Sequence, residues 1–149
     1  MLRKFALSAF AVASFAALVH AQGASGSAAE AKAMLEKAVA AVKADKTKAL
    51  ASFNAGTDGF KDRDLYPFCF NLTDGISVAG PASVNGKDTR TLKDATGKAF
   101  GDDIFKAGQS DTIGEVSYMF PKPGQTEPSA KNSFVTKAGD LGCGVGYYK

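Results

Sequence analysis

The fold of this chain is decided by its last eleven residues, GDLGCGVGYYK, at positions 139–149. Glycine occupies every second position, at Gly142, Gly144 and Gly146, so one face of an extended segment carries no side chains. Such a strand lets something pack very close to it, and the candidates are the long helix of this chain and a bound molecule. A strand at a chain end frays unless it is paired. We therefore predict that this segment pairs with the first strand of the same sheet.

The two cysteines of the chain, Cys69 and Cys143, favour the same arrangement. Cys69 lies in LYPFCFNL (65–72), whose alternating pattern predicts a strand that begins near Pro67. Antiparallel pairing of this strand with the last one makes the two cysteines cross-strand neighbours, at a separation that suits a disulfide. An oxidising compartment would favour that bond, and two buried free thiols are the alternative.

The N-terminal residues predict export. Arg3 and Lys4 precede an apolar run from Phe5 to Val19, and small residues follow at the positions that a signal peptidase recognises. We predict a signal peptide that is cleaved after Ala21, and hence a periplasmic or secreted protein. A transmembrane anchor is the alternative, but the run is short for a bilayer and no basic stop follows it.

Removal of residues 1–21 leaves 16 basic and 15 acidic residues, because Arg3 and Lys4 are lost from a total of 18 basic residues. A nearly neutral chain lacks the basic footprint of nucleic-acid binding. The only histidine, His20, is lost as well, which excludes Ser-His and Cys-His catalysis and His-containing zinc sites. A cysteine nucleophile without a histidine base is then the remaining catalytic candidate. We expect no enzyme activity, no cofactor and no metal site.

The rest of the chain predicts a flexible linker at 22–29 and a single domain at 30–149. The domain begins with one long helix, bent near Asp45 and ended by Gly56. The predicted elements after it are strands at 65–72 and 76–79, a helical turn at 90–94, a helix at 98–107, strands at 114–120 and 131–138 around a long hairpin loop at 121–130, and the closing strand. This order predicts an α+β fold, in which the long N-terminal helix packs on a five-stranded antiparallel sheet with a helical crossing between strands 2 and 3.

Five segments of the chain resemble, in their order and spacing, the single Cache domain family of extracytoplasmic small-molecule sensors, in its stand-alone exported form. They are LYPFCFNLTDGISVAGP (65–81), LKDATGKAF (92–100), GEVSYMFPKPG (114–124), KNSFVTKAGD (131–140) and GCGVGYYK (142–149). The resemblance implies a PAS-like sheet and a pocket between the sheet and the helical crossing. It also implies binding of small molecules, often short carboxylates such as acetate, pyruvate or lactate. Many relatives carry a His-Pro pair after the second strand, and this chain has Gly80-Pro81 there, so no histidine serves at that position.

Five residues are candidate ligand contacts under this resemblance. The hydroxyl of Tyr118 could donate to a carboxylate, and its alternative is a core tyrosine. The ammonium of Lys131 could hold an anion, and its alternative is a solvated strand end. The guanidinium of Arg90 could grip a carboxylate from the crossing, and its alternative is simple exposure. Phe134 and Phe68 are predicted as pocket wall or core.

The predicted function is that of a non-enzymatic periplasmic module that binds or senses a small molecule, with a short carboxylate as the expected ligand. The mature chain is predicted to have no membrane span and no nucleic-acid partner. The alternative is a protein-interaction or accessory module of a membrane signalling or transport complex, which would use a membrane protein as its partner. An exposed apolar patch and a pocket too small for a ligand would favour that alternative.

Overall fold

The computed structural model describes residues 25–149. The predicted signal peptide, its predicted cleavage point and the first part of the predicted linker lie outside the described residues. The helices and strands, with one short 3₁₀ helix, are α1 (Ala28–Ala44), α2 (Lys46–Ala55), β1 (Pro67–Asn71), β2 (Ser77–Ala79), the 3₁₀ helix (Thr89–Thr91), α3 (Phe100–Gly108), β3 (Gly114–Pro121), β4 (Pro128–Ala138) and β5 (Leu141–Tyr148).

The N-terminal helix bends where the sequence predicts it. The Asp45 side chain accepts a hydrogen bond from the backbone N–H of Lys48 and caps α2, so α1 and α2 meet at an angle. Gly56, with φ 67°, ends α2 in the left-handed conformation. The start differs from the predicted boundary at residue 30, because Ser27 and Glu30 form a reciprocal capping box and α1 begins at Ala28.

The sheet has the order β2-β1-β5-β4-β3, and every neighbouring pair is antiparallel. The predicted pairing of the last strand with the first is confirmed, and Cys69 lies directly opposite Cys143. The two residues form a disulfide, with Cα atoms 4.2 Å apart and 74 positions between them in sequence. The α+β fold with five antiparallel strands is therefore the predicted one.

The two faces of the sheet are covered by different elements. α1 packs on one face, where Leu35 and Val42 join the disulfide and Val145 in a buried cluster. α3 covers the other face, where Ile104 packs with Phe70 among others. The helical crossing of the sequence analysis is this second layer, formed by the 3₁₀ helix and α3.

The glycines of β5 face α3 and not the long helix. A Cβ atom would collide with Phe70 if it were built on Gly142, with Phe68 on Gly144 and with Lys131 on Gly146. The expectation that the long helix or a bound molecule fills this space is therefore wrong. The space is occupied by large side chains that reach over β5 from β1 and β4.

The hairpin between β3 and β4 is shorter than the sequence predicts. The ladder continues to the pair Pro121 and Pro128, so the loop covers 122–127 and not 121–130. Proline at the end of an outer strand is compatible with pairing, because its missing N–H can face away from the ladder. The turn from β4 to β5 uses two residues, Gly139 and Asp140, with Gly139 at φ 64°.

Candidate functional site

A cavity of about 40 Å³ lies between the sheet and the helical crossing. This volume has room for roughly three water molecules. Its wall is largely aromatic, and the rings that form it belong to Tyr66, Phe68, Phe100, Tyr118 and Phe120. The cavity adjoins an open groove between the segment after β2 and the β3–β4 loop, which provides a route to solvent.

Lys131 on β4 is the one charged residue among the described residues that line the cavity. Its side chain is 2% exposed, and its Nζ donates a hydrogen bond to the hydroxyl oxygen of Tyr66 at 2.9 Å. The same nitrogen lies over the rings of Tyr66 at 4.5 Å, Tyr148 at 5.1 Å and Phe120 at 5.2 Å. Within residues 25–149, no carboxylate oxygen lies within 4.0 Å of it.

The charge of this lysine is poorly compensated. Burial lowers the pKa of Lys131 from 10.5 to about 7, and the charge of Asp64 opposes the shift. Aromatic rings and one hydroxyl offset part of the loss of water around an ammonium, but they do not replace a counter-ion. An anion in the cavity would supply that counter-ion and would favour the protonated form.

Tyr118 stands opposite Lys131 in the β3–β4 ladder and shares its face of the sheet. Its hydroxyl shares a hydrogen bond of 2.8 Å with the hydroxyl of Ser133, and its ring stacks on Phe100 with centroids 4.2 Å apart. Burial raises the pKa of Tyr118, so the hydroxyl stays neutral. The cavity therefore combines one cation with neutral hydroxyl groups on an apolar wall.

Three of the five predicted contacts meet at this cavity, namely Phe68, Tyr118 and Lys131. Phe134 lies on the opposite face of the sheet, where its ring stacks on Tyr147 with centroids 5.5 Å apart. Positions 131 and 134 of one strand differ by an odd number, so their side chains point to opposite faces. That argument was open to sequence analysis, and it separates Phe134 from the cavity.

Arg90 is the other predicted contact that the structure does not bring to the cavity. Its guanidinium pairs with the carboxylate of Asp88 at 2.6 Å and donates to the backbone oxygen of Asp74 at 2.7 Å. These bonds hold the turn between β1 and β2 to the start of the 3₁₀ helix. The Asp88 carboxylate raises the pKa of Arg90, chiefly by the side-chain hydrogen bond.

Among the cavity residues that sequence analysis missed, two have a signal in the sequence pattern. Tyr66 has the same parity as Phe68, and Phe120 has the same parity as Tyr118. In an extended segment, equal parity places side chains on one face. Once Phe68 and Tyr118 are candidates, the alternation alone predicts their two partners.

Known proteins resemble this chain in sequence and in fold. The family model described as Single Cache domain 2 matches residues 11–148. No curated protein matches the chain. Within residues 25–149, the helices are too short or too polar to span a bilayer.

Three solved structures share the fold. A methyl-accepting chemotaxis protein from Vibrio parahaemolyticus RIMD 2210633 has a TM-score of 0.63 at 24% identity, over 80% of this chain and 86% of that one. A periplasmic sensor domain of a chemotaxis protein has a TM-score of 0.59 at 26% identity, over 80% and 88%. A Cache chemosensory domain, solved as a structural basis for carboxylic acid recognition, has a TM-score of 0.64 at 22% identity, over 80% and 91%.

Proposed function

This chain belongs to the single Cache domain 2 family, and we propose that it binds a short organic carboxylate in the cavity beside Lys131, as a non-enzymatic sensing or ligand-capture domain of the periplasm. The observation that carries the proposal is a buried lysine at the cavity wall, with no carboxylate oxygen of residues 25–149 within 4.0 Å of its ammonium. Proteins rarely bury a charge unless it is paired or has a function. A carboxylate ligand would complete the pair.

The size and the lining of the cavity support a small ligand. A volume of about 40 Å³ suits an anion of few heavy atoms, such as acetate or pyruvate. The aromatic wall would receive the short apolar part of the acid, while the ammonium and the hydroxyl groups would receive its oxygens. A solved relative in fold, the Cache chemosensory domain, is described by its recognition of carboxylic acid, which agrees with this ligand class.

The disulfide and the solved relatives support the proposed compartment. A disulfide buried inside the sheet is expected in an oxidising compartment such as the periplasm. One of the solved relatives is a periplasmic sensor domain.

Reaction of the purified, unreduced protein with a thiol reagent after denaturation tests the disulfide, and we expect no free thiol.

A thermal-shift panel tests the proposed ligand class. The purified protein is heated with acetate, propionate, pyruvate and lactate, and with acetamide as a neutral isostere of acetate. A ligand that binds only the folded state raises the melting temperature, and the rise grows with the ratio of ligand concentration to Kd, so we expect a rise with at least one acid and none with acetamide. Lys131→Met should abolish the rise, while Lys32→Met, on the exposed side of α1, should leave it unchanged. A panel without any rise would contradict the proposal and favour the protein-interaction alternative.

A further inference from the structure

The side chain of Lys131 leans over the neighbouring strand to reach its position. Lys131 belongs to β4 and pairs with Tyr148 of β5, whereas its Nζ bonds to Tyr66, just before β1. In the sheet, β5 lies between β4 and β1. The aliphatic part of the lysine therefore lies over β5, and the ammonium above that strand meets the hydroxyl of Tyr66.

Gly146 is the residue of β5 over which the lysine lies. A Cβ atom built on Gly146 would overlap Cε of Lys131, would lie 3.0 Å from its Nζ, and would lie 2.6 Å from the hydroxyl oxygen of Ser133. We infer that Gly146 is a positioning residue, whose missing side chain lets Lys131 lie over β5 and places the ammonium against Tyr66 at the cavity wall. The consequence for ligand binding rests on the proposed function, whereas the placement of the ammonium does not.

The backbone does not require glycine at this position. Among the described residues, Gly146 is not one of the glycines with positive φ, so alanine would adopt its conformation without backbone strain. Rotation of the flexible Lys131 side chain relieves the overlap with its Cε, whereas the approach to the hydroxyl oxygen of buried Ser133 requires that side chain to rotate as well. Gly142 differs, because a Cβ there would strike the ring of Phe70 and lie 3.1 Å from the Cα of Gly108. A change at 142 should therefore disturb the core, and a change at 146 should move the lysine.

The direct test follows Lys131 itself by NMR and needs no ligand. The protein is labelled with lysine carrying ¹³C at Cε, and the Lys131 signal is assigned by its absence in Lys131→Met. In the wild type we expect this signal to titrate near pH 7, because burial lowers the pKa of Lys131 to about 7. In Gly146→Ala the midpoint should move upward, toward about 10.4, the ordinary value for a solvated lysine. Gly114→Ala is the matched control, because an added Cβ there meets its nearest neighbour at an ordinary 3.4 Å, and its midpoint should stay at the wild-type value.

A midpoint in Gly146→Ala equal to that of the wild type would overturn the inference. If Gly146→Ala does not fold, the double variant Lys131→Ala/Gly146→Ala decides the question, because alanine at 131 removes the Cε atom that overlaps the new Cβ. Recovery of the folded state when the lysine is shortened would show that the two side chains compete for one space. Failure of both variants to fold would show that Gly146 serves the fold and not the lysine.

The ligand-binding consequence is tested with acetate as the probe. If the wild type shows a rise in melting temperature with acetate, Gly146→Ala should lose that rise, and the double variant should show no further loss. Retention of the full rise in Gly146→Ala would overturn the consequence for binding. Absence of a rise in the wild type would contradict acetate as ligand, and the NMR titration would then decide the role of Gly146 alone.

Discussion

The protonation state of Lys131 should govern ligand affinity. A carboxylate is attracted to the ammonium, so binding favours the protonated lysine and raises its pKa above the free value of about 7. Above this pH, the free protein must take up a proton to bind, and affinity should fall by up to about tenfold per pH unit. Isothermal titration calorimetry of the best ligand from pH 6.5 to 8.5, in two buffers that differ in ionisation enthalpy, measures the affinity and the proton uptake together.

The tyrosine hydroxyls around Lys131 do not titrate in this pH range. Burial raises the pKa values of Tyr66, Tyr118 and Tyr148, the last to about 12, so all three hydroxyls stay neutral below pH 9. Asp64 is the acidic group whose charge acts on the lysine. An affinity that is constant between pH 6.5 and 8.5 would show that the lysine does not meet the ligand as an ammonium.

Lys131 should also lower the stability of the ligand-free protein. We expect Lys131→Met to raise the free energy of unfolding at pH 7, by about 1–4 kcal/mol, the range found when buried ion pairs are replaced by apolar residues of similar volume. Between about pH 7 and 10.5 the unfolded chain holds a proton that the folded protein has released, so the stability of the wild type rises with pH in this window. The variant lacks this slope.

Urea denaturation of both proteins at pH 6, 7, 8 and 9 measures the difference. The gain from Lys131→Met should be largest at pH 6 and should shrink toward pH 9, because the penalty is complete only when the folded protein carries the charge. The three tyrosines are common to both proteins and cancel in the comparison. A variant that is less stable than the wild type at every pH would mean that the lysine is a structural residue.

For single residues, the sequence predicts which kinds of chemical group line the cavity better than it predicts which residues carry them. Tyr118 and Lys131 were found because a hydroxyl and an ammonium suit a carboxylate, and both lie at the cavity. Arg90 suits a carboxylate ligand equally well, but its guanidinium forms a salt bridge with the nearby Asp88. Competition of this kind depends on three-dimensional distances, and residue type alone does not contain it.

Among the elements, the outer strand β3 is protected by the loop before α3. Asp94 accepts hydrogen bonds from the backbone N–H groups of Thr96 and Lys98, and its second oxygen accepts from the backbone N–H of Met119 on β3 at 3.0 Å. The hydroxyl of Thr96 also donates to it. One carboxylate therefore orders the loop and covers a backbone donor of an outer strand, which would otherwise be open to pairing with another chain.

We expect Asp94→Ala to lower the melting temperature at pH 7 and to increase aggregation on heating. Hydrogen bonds, led by that of the Thr96 side chain, lower the pKa of Asp94 from 3.8 to about 2. The stabilisation is thus present above pH 3.8 and is lost as the pH falls toward 2, so the two proteins should converge in acid. Scanning calorimetry with light scattering from pH 2 to 7 measures both effects. Asp102→Ala, which removes only an exposed pair with Lys106, is the control and should change little.

The accuracy of the predicted elements depends on whether their signals are local. The bend at Asp45 and the end at Gly56 follow from capping chemistry within a few residues, and both were predicted. The hairpin loop was predicted too long, because proline and glycine are frequent both in loops and at the ends of outer strands. Pairing of Pro121 with Pro128 is decided by the ladder that precedes it, which is a property of two strands together.

Over the whole molecule, the last strand of the chain is the middle strand of the sheet. β5 pairs with β1 on one side and β4 on the other, so it joins the two halves of the sheet. Within residues 25–149, no strand other than β5 pairs with both β1 and β4. The position of β5 was predictable because the cysteines report a contact between residues that lie far apart in sequence, which periodicity alone cannot show.

The disulfide should therefore stabilise the whole domain and not only the strands that it joins. In the chain-entropy model, a cross-link over 74 positions stabilises the folded state by about 4 kcal/mol, through its restriction of the unfolded chain. We expect Cys69→Ala/Cys143→Ala to lose most of that amount in one cooperative transition, because separation of β1 from β5 divides the sheet. Urea denaturation gives the free energy, and the wild type with and without reductant is the control. Two separate transitions, or a reductant that leaves the wild type unchanged, would show that the two halves of the sheet hold together without the sulfur bridge.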